Sequence, residues 1–204
     1  MSENLDVSRR DLLFRWSASV ALAALGEEVL PAQETKHVHK AVAQEKSKGA
    51  YQPKALTDHE YATLRHLADL IIPSDEHSKG ALEAGAADFI DFLCAANTDL
   101  QDIYTGGIAW LDEEMRRRYD KDFLSSEPAQ QTTVLDLIAW RRNASPELNP
   151  GIQFFTFTRR MVADAYYTSP IGMKDLGYMG NSAISQFSVP KEALDYAIKR
   201  SPFA

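Results

Sequence analysis

From Tyr61 onward, large apolar residues recur three and four positions apart, and no stretch alternates apolar with polar residues over the length of a strand. A period of 3.6 without a period of 2 leaves helices packed on helices as the architecture. The clearest case is "ALTDHEYATLRHLADLIIPSD". Thr57 is placed to cap a helix, and Glu60, three residues on, is placed to close a capping box. Leu56 and Tyr61 flank that cap as a hydrophobic staple. Tyr61, Leu64, Leu67, Ala68 and Ile71 then fall on one face, and Pro73 ends the segment.

The pattern repeats down the chain. In "AGAADFIDFLCAA" the apolar face is Ala86, Phe89, Ile90, Leu93 and Cys94, which makes Cys94 a small core residue. Leu100, Ile103, Tyr104, Gly107, Ile108, Leu111 and Met115 form the next stripe, and the pair Gly106-Gly107 inside it predicts close helix packing. Arg116, Arg117 and Arg118 close that helix as a solvated C-terminus opposing its dipole. "SSEPAQQTTVLDLIAWRR" opens on cap-type serines and a first-turn proline, and turns Val134, Leu135 and Ile138 inward. "NPGIQFFTFTRRMVADAYYTSP" places Asn149 as cap and Pro150 first in the helix, with Phe154, Phe155, Thr158, Met161, Val162 and Ala165 as its core face. The glycine-rich "SPIGMKDLGYMGNS" reads as an ordered loop, and "PKEALDYAIKR" as a short last helix. The expected fold is all-α: a compact orthogonal helical domain of about five to six helices over residues 55–204, preceded by a signal segment and a flexible linker.

Residues 1–32 carry the signal features. Ser8, Arg9, Arg10 and the Leu12-Leu13 pair follow the twin-arginine export pattern, with Phe14 where a lysine is common. The weakly apolar run from Trp16 to Gly26 suits that route, Glu27 and Glu28 stop it, and "VLPAQ" offers cleavage after Ala32. Left uncleaved, the segment would be a weak membrane anchor. Residues 33–54 have few large apolar residues and many charges, which predicts a solvated linker. His37 and His39 within it lack the further ligands of a metal site.

Net charge and residue inventory then remove whole classes of function. A charge of −7 opposes nucleic-acid binding, which needs a basic face. No apolar run approaches the ~20 residues of a membrane span. One cysteine allows no internal disulfide and no c-type haem attachment. A bundle di-iron site needs Glu-x-x-His on two helices, and the five histidines do not supply two such pairs. A dinucleotide fingerprint is lacking, as are the strands it would follow. His66 and Asp69 are spaced for a surface ion pair. Asp88 and Asp91 read as the wet face of their helix. No catalytic, cofactor-binding or metal site emerges for this chain.

The ordered combination of the twin-arginine start, "LTDHEYATLRHLADLIIPSDE", "EAGAADFIDFL", "YTGGIAWLDEEMRRRYDKDFLSSEPAQQTTVL" and "FFTFTRRMVADAYYTSPIGMKDLGYMGN" resembles subunit 3, the small subunit, of the gluconate 2-dehydrogenase type of membrane-bound flavin dehydrogenase. The likeness runs from about residue 55 to 181. It implies a non-catalytic subunit that binds no cofactor itself. Its implied partner is a large FAD-containing subunit of the glucose-methanol-choline oxidoreductase type, often joined by a multihaem c-type cytochrome. The large subunit lacks a signal of its own and crosses the membrane on the small subunit's twin-arginine signal, through the twin-arginine translocase, so the complex would be periplasmic. Many family members carry a longer "DP-x-YGGN" loop; this chain keeps Pro170, Gly172, Gly177, Tyr178 and Gly180 in a shorter form.

A subunit that must hold a partner through translocation needs a sizeable, partly apolar interface. Aromatics off the inward stripes are the expected anchors: Trp110, Trp140, Phe157 and Tyr167, with Tyr178 in the glycine loop. The competing expectation is a stand-alone exported helical enzyme or metal-binding protein.

Overall fold

Helix signals in the chain translate into nine α-helices among the described residues, which are 32–178 and 189–201 of a computed structural model. They are α1 (Ala32–Ser47), α2 (Asp58–Ile71), α3 (Ala81–Ala84), α4 (Ala86–Cys94), α5 (Thr98–Tyr119), α6 (Pro128–Ile138), α7 (Asn149–Tyr167), α8 (Pro170–Asp175) and α9 (Lys191–Arg200). One 3₁₀ turn, Arg141–Asn143, follows α6, and the described residues contain no strand. Ser8, Arg9, Arg10, Leu12, Leu13 and Gly180 lie outside the described residues.

The capping box of α2 forms as its spacing predicts. Thr57 N–H donates to Glu60 Oε2 at 2.8 Å, and Glu60 N–H donates to Thr57 Oγ1 at 3.3 Å. Leu56 and Tyr61 are both buried beside it. At α6 the cap falls on Glu127 and not on the serines, and Gln130 Oε1 accepts from Glu127 N–H at 3.0 Å. Helix α7 starts one residue earlier than its cap signal suggests: Leu148 is the cap, Asn149 opens the helix and Pro150 stands second.

The core is organised around α7, which packs against α2, α3, α4, α5, α6 and α8. Its buried face holds Phe154, Phe155, Thr158, Met161, Val162 and Ala165. Facing it are Phe89, Ile90 and Cys94 of α4, Tyr104, Ile108, Leu111 and Met115 of α5, and Val134 and Ile138 of α6, all buried. Each large apolar side chain so buried contributes about 1.5–3 kcal/mol. Of the glycine pair in α5, only Gly107 is a packing site. A Cβ there would lie 2.0 Å from the Phe154 ring, whereas one at Gly106 would meet nothing within 4 Å.

Two segments read from sequence as irregular are helical. Residues 32–47 form α1, where a solvated linker was expected. Thr35, Val38, His39 and Val42 follow helical spacing, and α1 lies on α4 with Thr35 and Val42 buried and the His39 ring 4.7 Å from that of Phe89. The polar composition masked a narrow apolar stripe. The glycine-rich segment likewise begins as the helix α8, capped by Ser169 Oγ, which accepts from Gly172 N–H at 3.0 Å. Its turn follows at Gly177, whose φ of 62° is left-handed.

Candidate partner-binding surface

Chemistry would need polar side chains with unused capacity, so the buried carboxylates come first. Asp91, expected on a wet face, is fully buried. Its Oδ2 accepts from the Tyr51 hydroxyl at 2.8 Å and from Lys54 N–H at 2.7 Å. Its Oδ1 accepts from the Ala55 and Leu56 N–H groups at 3.1 and 2.9 Å. Asp88 is buried too, accepting from the Tyr61 hydroxyl and from Lys46 Nζ, the latter at 2.7 Å. The signal for a wet face was the i,i+3 spacing; the donors that reverse it sit 27 to 42 residues away along the chain. Burial, then the bond to Asp91, raises the Tyr51 hydroxyl pKa; burial, then the bond to Asp88, does the same at Tyr61. Both hydroxyls are thereby held as donors, and the pair of carboxylates anchors residues 51–61 to α4.

Other candidates resolve the same way. His66 pairs with Gln131 Oε1 at 2.9 Å and not with Asp69. Gln131 also donates to the Phe123 carbonyl at 2.7 Å, while Phe123 N–H donates to Asp112 Oδ1 at 3.0 Å. Asp112 Oδ2 lies 2.6 Å from His59 Nε2, so the α5–α6 connection is fastened from both sides. The arginine run is exposed at the helix end as expected, and two of its members also reach inward: Arg117 Nη2 and Arg118 Nε contact the buried Glu114 at 2.7 and 2.5 Å. The hydrogen bond from Arg117 is the chief cause holding that carboxyl below its ordinary range. Cys94 is buried, and its thiol is pushed up to about 12, first by burial and then by Asp91. The chain's one Glu-x-x-His spacing, Glu34 to His37, falls on α1, where His37 is exposed. Among the described residues no group of three or more His, Cys, Asp or Glu is arranged to hold a metal ion.

The aromatics proposed as anchors divide into two sets. Trp110 is half-buried and lies over Gly151, where a Cβ would come within 2.1 Å of its ring. Phe157 is half-buried against Tyr104, with ring centroids 6.1 Å apart. Trp140, Tyr167 and Tyr178 are 52%, 43% and 58% exposed. The Trp140 ring carries the Arg142 guanidinium at 4.9 Å. Gly172 is buried, and a Cβ on it would approach the Tyr166 carbonyl oxygen to 2.1 Å, so its bareness serves the close contact of α8 with α7. Pro170 and Gly177 are exposed on either side.

Tyr167, Leu176 and Tyr178 therefore stand together in the chain at the α7–α8 end, with Leu176 61% exposed. Leu176 is absent from the sequence-based set because one leucine in a glycine-rich stretch gives no periodic signal. This end is rigidly mounted. The Tyr166 hydroxyl lies 2.8 Å from Ser78 Oγ, 3.0 Å from the Lys79 carbonyl oxygen and 3.2 Å from Asp175 Oδ2. Tyr178 N–H donates to the Met173 carbonyl at 3.0 Å. Exposed aromatic and leucine side chains on a hydrogen-bonded backbone suit a protein partner, since little backbone ordering entropy is lost on contact.

No curated protein and no solved structure matches the chain. The family model described as gluconate 2-dehydrogenase subunit 3 matches residues 58–186, a span that opens at α2 and runs past Tyr178. This chain thus belongs to the gluconate 2-dehydrogenase subunit 3 family, and through it to the accessory subunits of dehydrogenase complexes.

Proposed function

We propose that this chain is a non-catalytic small subunit that escorts a signal-less, FAD-containing dehydrogenase subunit of the glucose-methanol-choline type through twin-arginine export and then stabilises it in the periplasm. The substrate class is a sugar or alcohol, FAD belongs to the large subunit, and a c-type cytochrome is the natural third member. The family match over the helical body carries the reading. "SRRDLL" at residues 8–13 supports the export role. The saturated buried carboxylates support a scaffold role, because each carboxylate is engaged in holding chain segments together. The exposed Tyr167, Leu176 and Tyr178 are the surface on which the large subunit would rest.

The test is co-expression with the large flavoprotein encoded in the same genome, using this chain with Arg9 and Arg10 intact or both changed to lysine. The flavoprotein reaches the periplasm with FAD bound only beside the intact arginine pair. Periplasmic flavoprotein beside the double-lysine variant overturns the escort role.

A further inference from the structure

Helix α9 differs from every other long helix of the fold in that none of its ten residues is buried. All of them, Lys191 to Arg200, are exposed, and Leu194, Tyr196 and Ile198 are about half exposed or more. At 100° per residue, Ala193, Leu194, Ala197 and Ile198 share one stripe, with Asp195, Lys199 and Glu192 opposite. Basic residues border the stripe: Lys191 beside Ile198, and Arg200 beside Ala193. The Arg200 guanidinium lies 4.6 Å from the Tyr196 ring. No side chain caps the helix. Isolated helices shorter than about 12–15 residues are marginal in water, so one of this length gains lasting stability only when its apolar stripe is covered.

We infer that α9 is an arm of this subunit that seats its Leu194–Ile198 stripe in an apolar groove with an acidic rim on the large flavoprotein subunit, an inference resting on the function proposed above. Two considerations select that occupant. Area excludes a second copy, because a helix about 15 Å long, with alanine at two of its four stripe positions, covers far less than the ~1,200 Å² of a stable interface. A membrane surface is disfavoured because the polar face mixes acidic with basic residues and the stripe holds only two bulky side chains. A short arm acts well on a partner already held by the body. From Tyr178 to Lys191 the chain reaches at most about 45 Å, so the tethered helix meets its groove at millimolar effective concentration. The family match ends at residue 186, before α9 begins, so the arm adds to the contact the shared body makes.

The experiment uses the co-expressed complex of the full chain and the flavoprotein. Leu194→Asp with Ile198→Asp is expected to leave the complex assembled but to raise its dissociation rate at least tenfold. A photo-crosslinker, p-benzoylphenylalanine, in place of Lys191, which borders the stripe beside Ile198, is expected to trap the flavoprotein. An unchanged dissociation rate, or crosslinks only to another copy of this chain or to lipid vesicles of native composition, overturns the role of α9 and leaves the escort function standing. Failure of the intact chain to form any complex removes both.

Discussion

Asp91 is fully buried, yet each of its oxygens accepts two hydrogen bonds, three of the four from consecutive backbone amides at Lys54, Ala55 and Leu56. Such a carboxylate is an acceptor on all sides, and a neutral amide of the same shape cannot replace it. In Asp91→Asn the amide nitrogen would face donors instead of accepting from them, leaving at least one buried N–H unpaired. The expected cost is about 3 kcal/mol, measured as a shift of the urea midpoint at constant slope. A loss below about 1 kcal/mol would mean that water replaces those bonds and that residues 51–56 are not held by α4. None of this was legible from the residue itself. Asp88 and Asp91 present the spacing of a hydrated helix face, and only folding of the distant Tyr51–Leu56 segment onto them makes them interior. The Thr57–Glu60 box, by contrast, was legible because all of its donors and acceptors lie within four residues.

At the scale of elements, the same division between local and distant causes separates α2 from α1. Pro31 before α1, Gly49 after it and the Ala, Gln, Glu and Lys between them are helix start, stop and propensity signals. They were overshadowed by a polar composition that also fits a linker, and Val38 and Val42 are its only large aliphatic side chains. Docking of α1 relies on few apolar contacts and on distant polar ones: Lys46 with Asp88, and His39 Nε2 with Thr168 Oγ1 at 2.9 Å. Around the His39 ring stand Phe89 of α4, the Ala165 carbonyl of α7 and the hydroxyl of Thr168, the C-cap of α7, which itself donates to the Asp164 carbonyl at 2.6 Å. Asp164 interacts with Arg160, and Asp88 with Lys46 and Tyr61. Burial lowers the His39 pKa from its ordinary 6.5, against a smaller opposing effect of the Ala165 carbonyl. The sign follows directly. Undocked α1 binds a proton at His39 more readily than docked α1, so docking is firmest above about pH 6.5 and weakens as pH falls below it. Hydrogen exchange in residues 32–47, corrected for intrinsic rates, is expected to accelerate between pH 7.5 and 5.5 relative to α2. His39→Gln keeps a donor for Thr168 and abolishes that dependence. Equal protection at both pH values in the parent protein would show that His39 does not govern the docking of α1.

The whole molecule is a body built around α7 with an exposed edge of Tyr167, Leu176 and Tyr178 at one end of that helix, and Tyr166 joins the two. Its ring is buried in the core beside Tyr167, 5.0 Å away and edge-on. Its hydroxyl reaches the 74–80 connection and α8 at once, through Ser78, Lys79 and Asp175. The apolar body of the side chain sets the stability of the fold, while the hydroxyl sets the position of the edge that carries Leu176 and Tyr178. Tyr166→Phe separates the two contributions, because it keeps the ring and deletes only the polar contacts. Global stability is expected to fall by only about 1 kcal/mol, seen as a small change in the urea midpoint. Local order should fall much further: amides of residues 171–178 exchange faster by tenfold or more, while those of α2 and α5 are unchanged. On the function proposed above, an edge that must be ordered at the moment of contact binds less well, and a complex with the flavoprotein is expected to dissociate several-fold faster from this variant. If exchange accelerates equally throughout the chain, Tyr166 is an ordinary core residue and α8 is positioned by Ser169 and Gly172 alone.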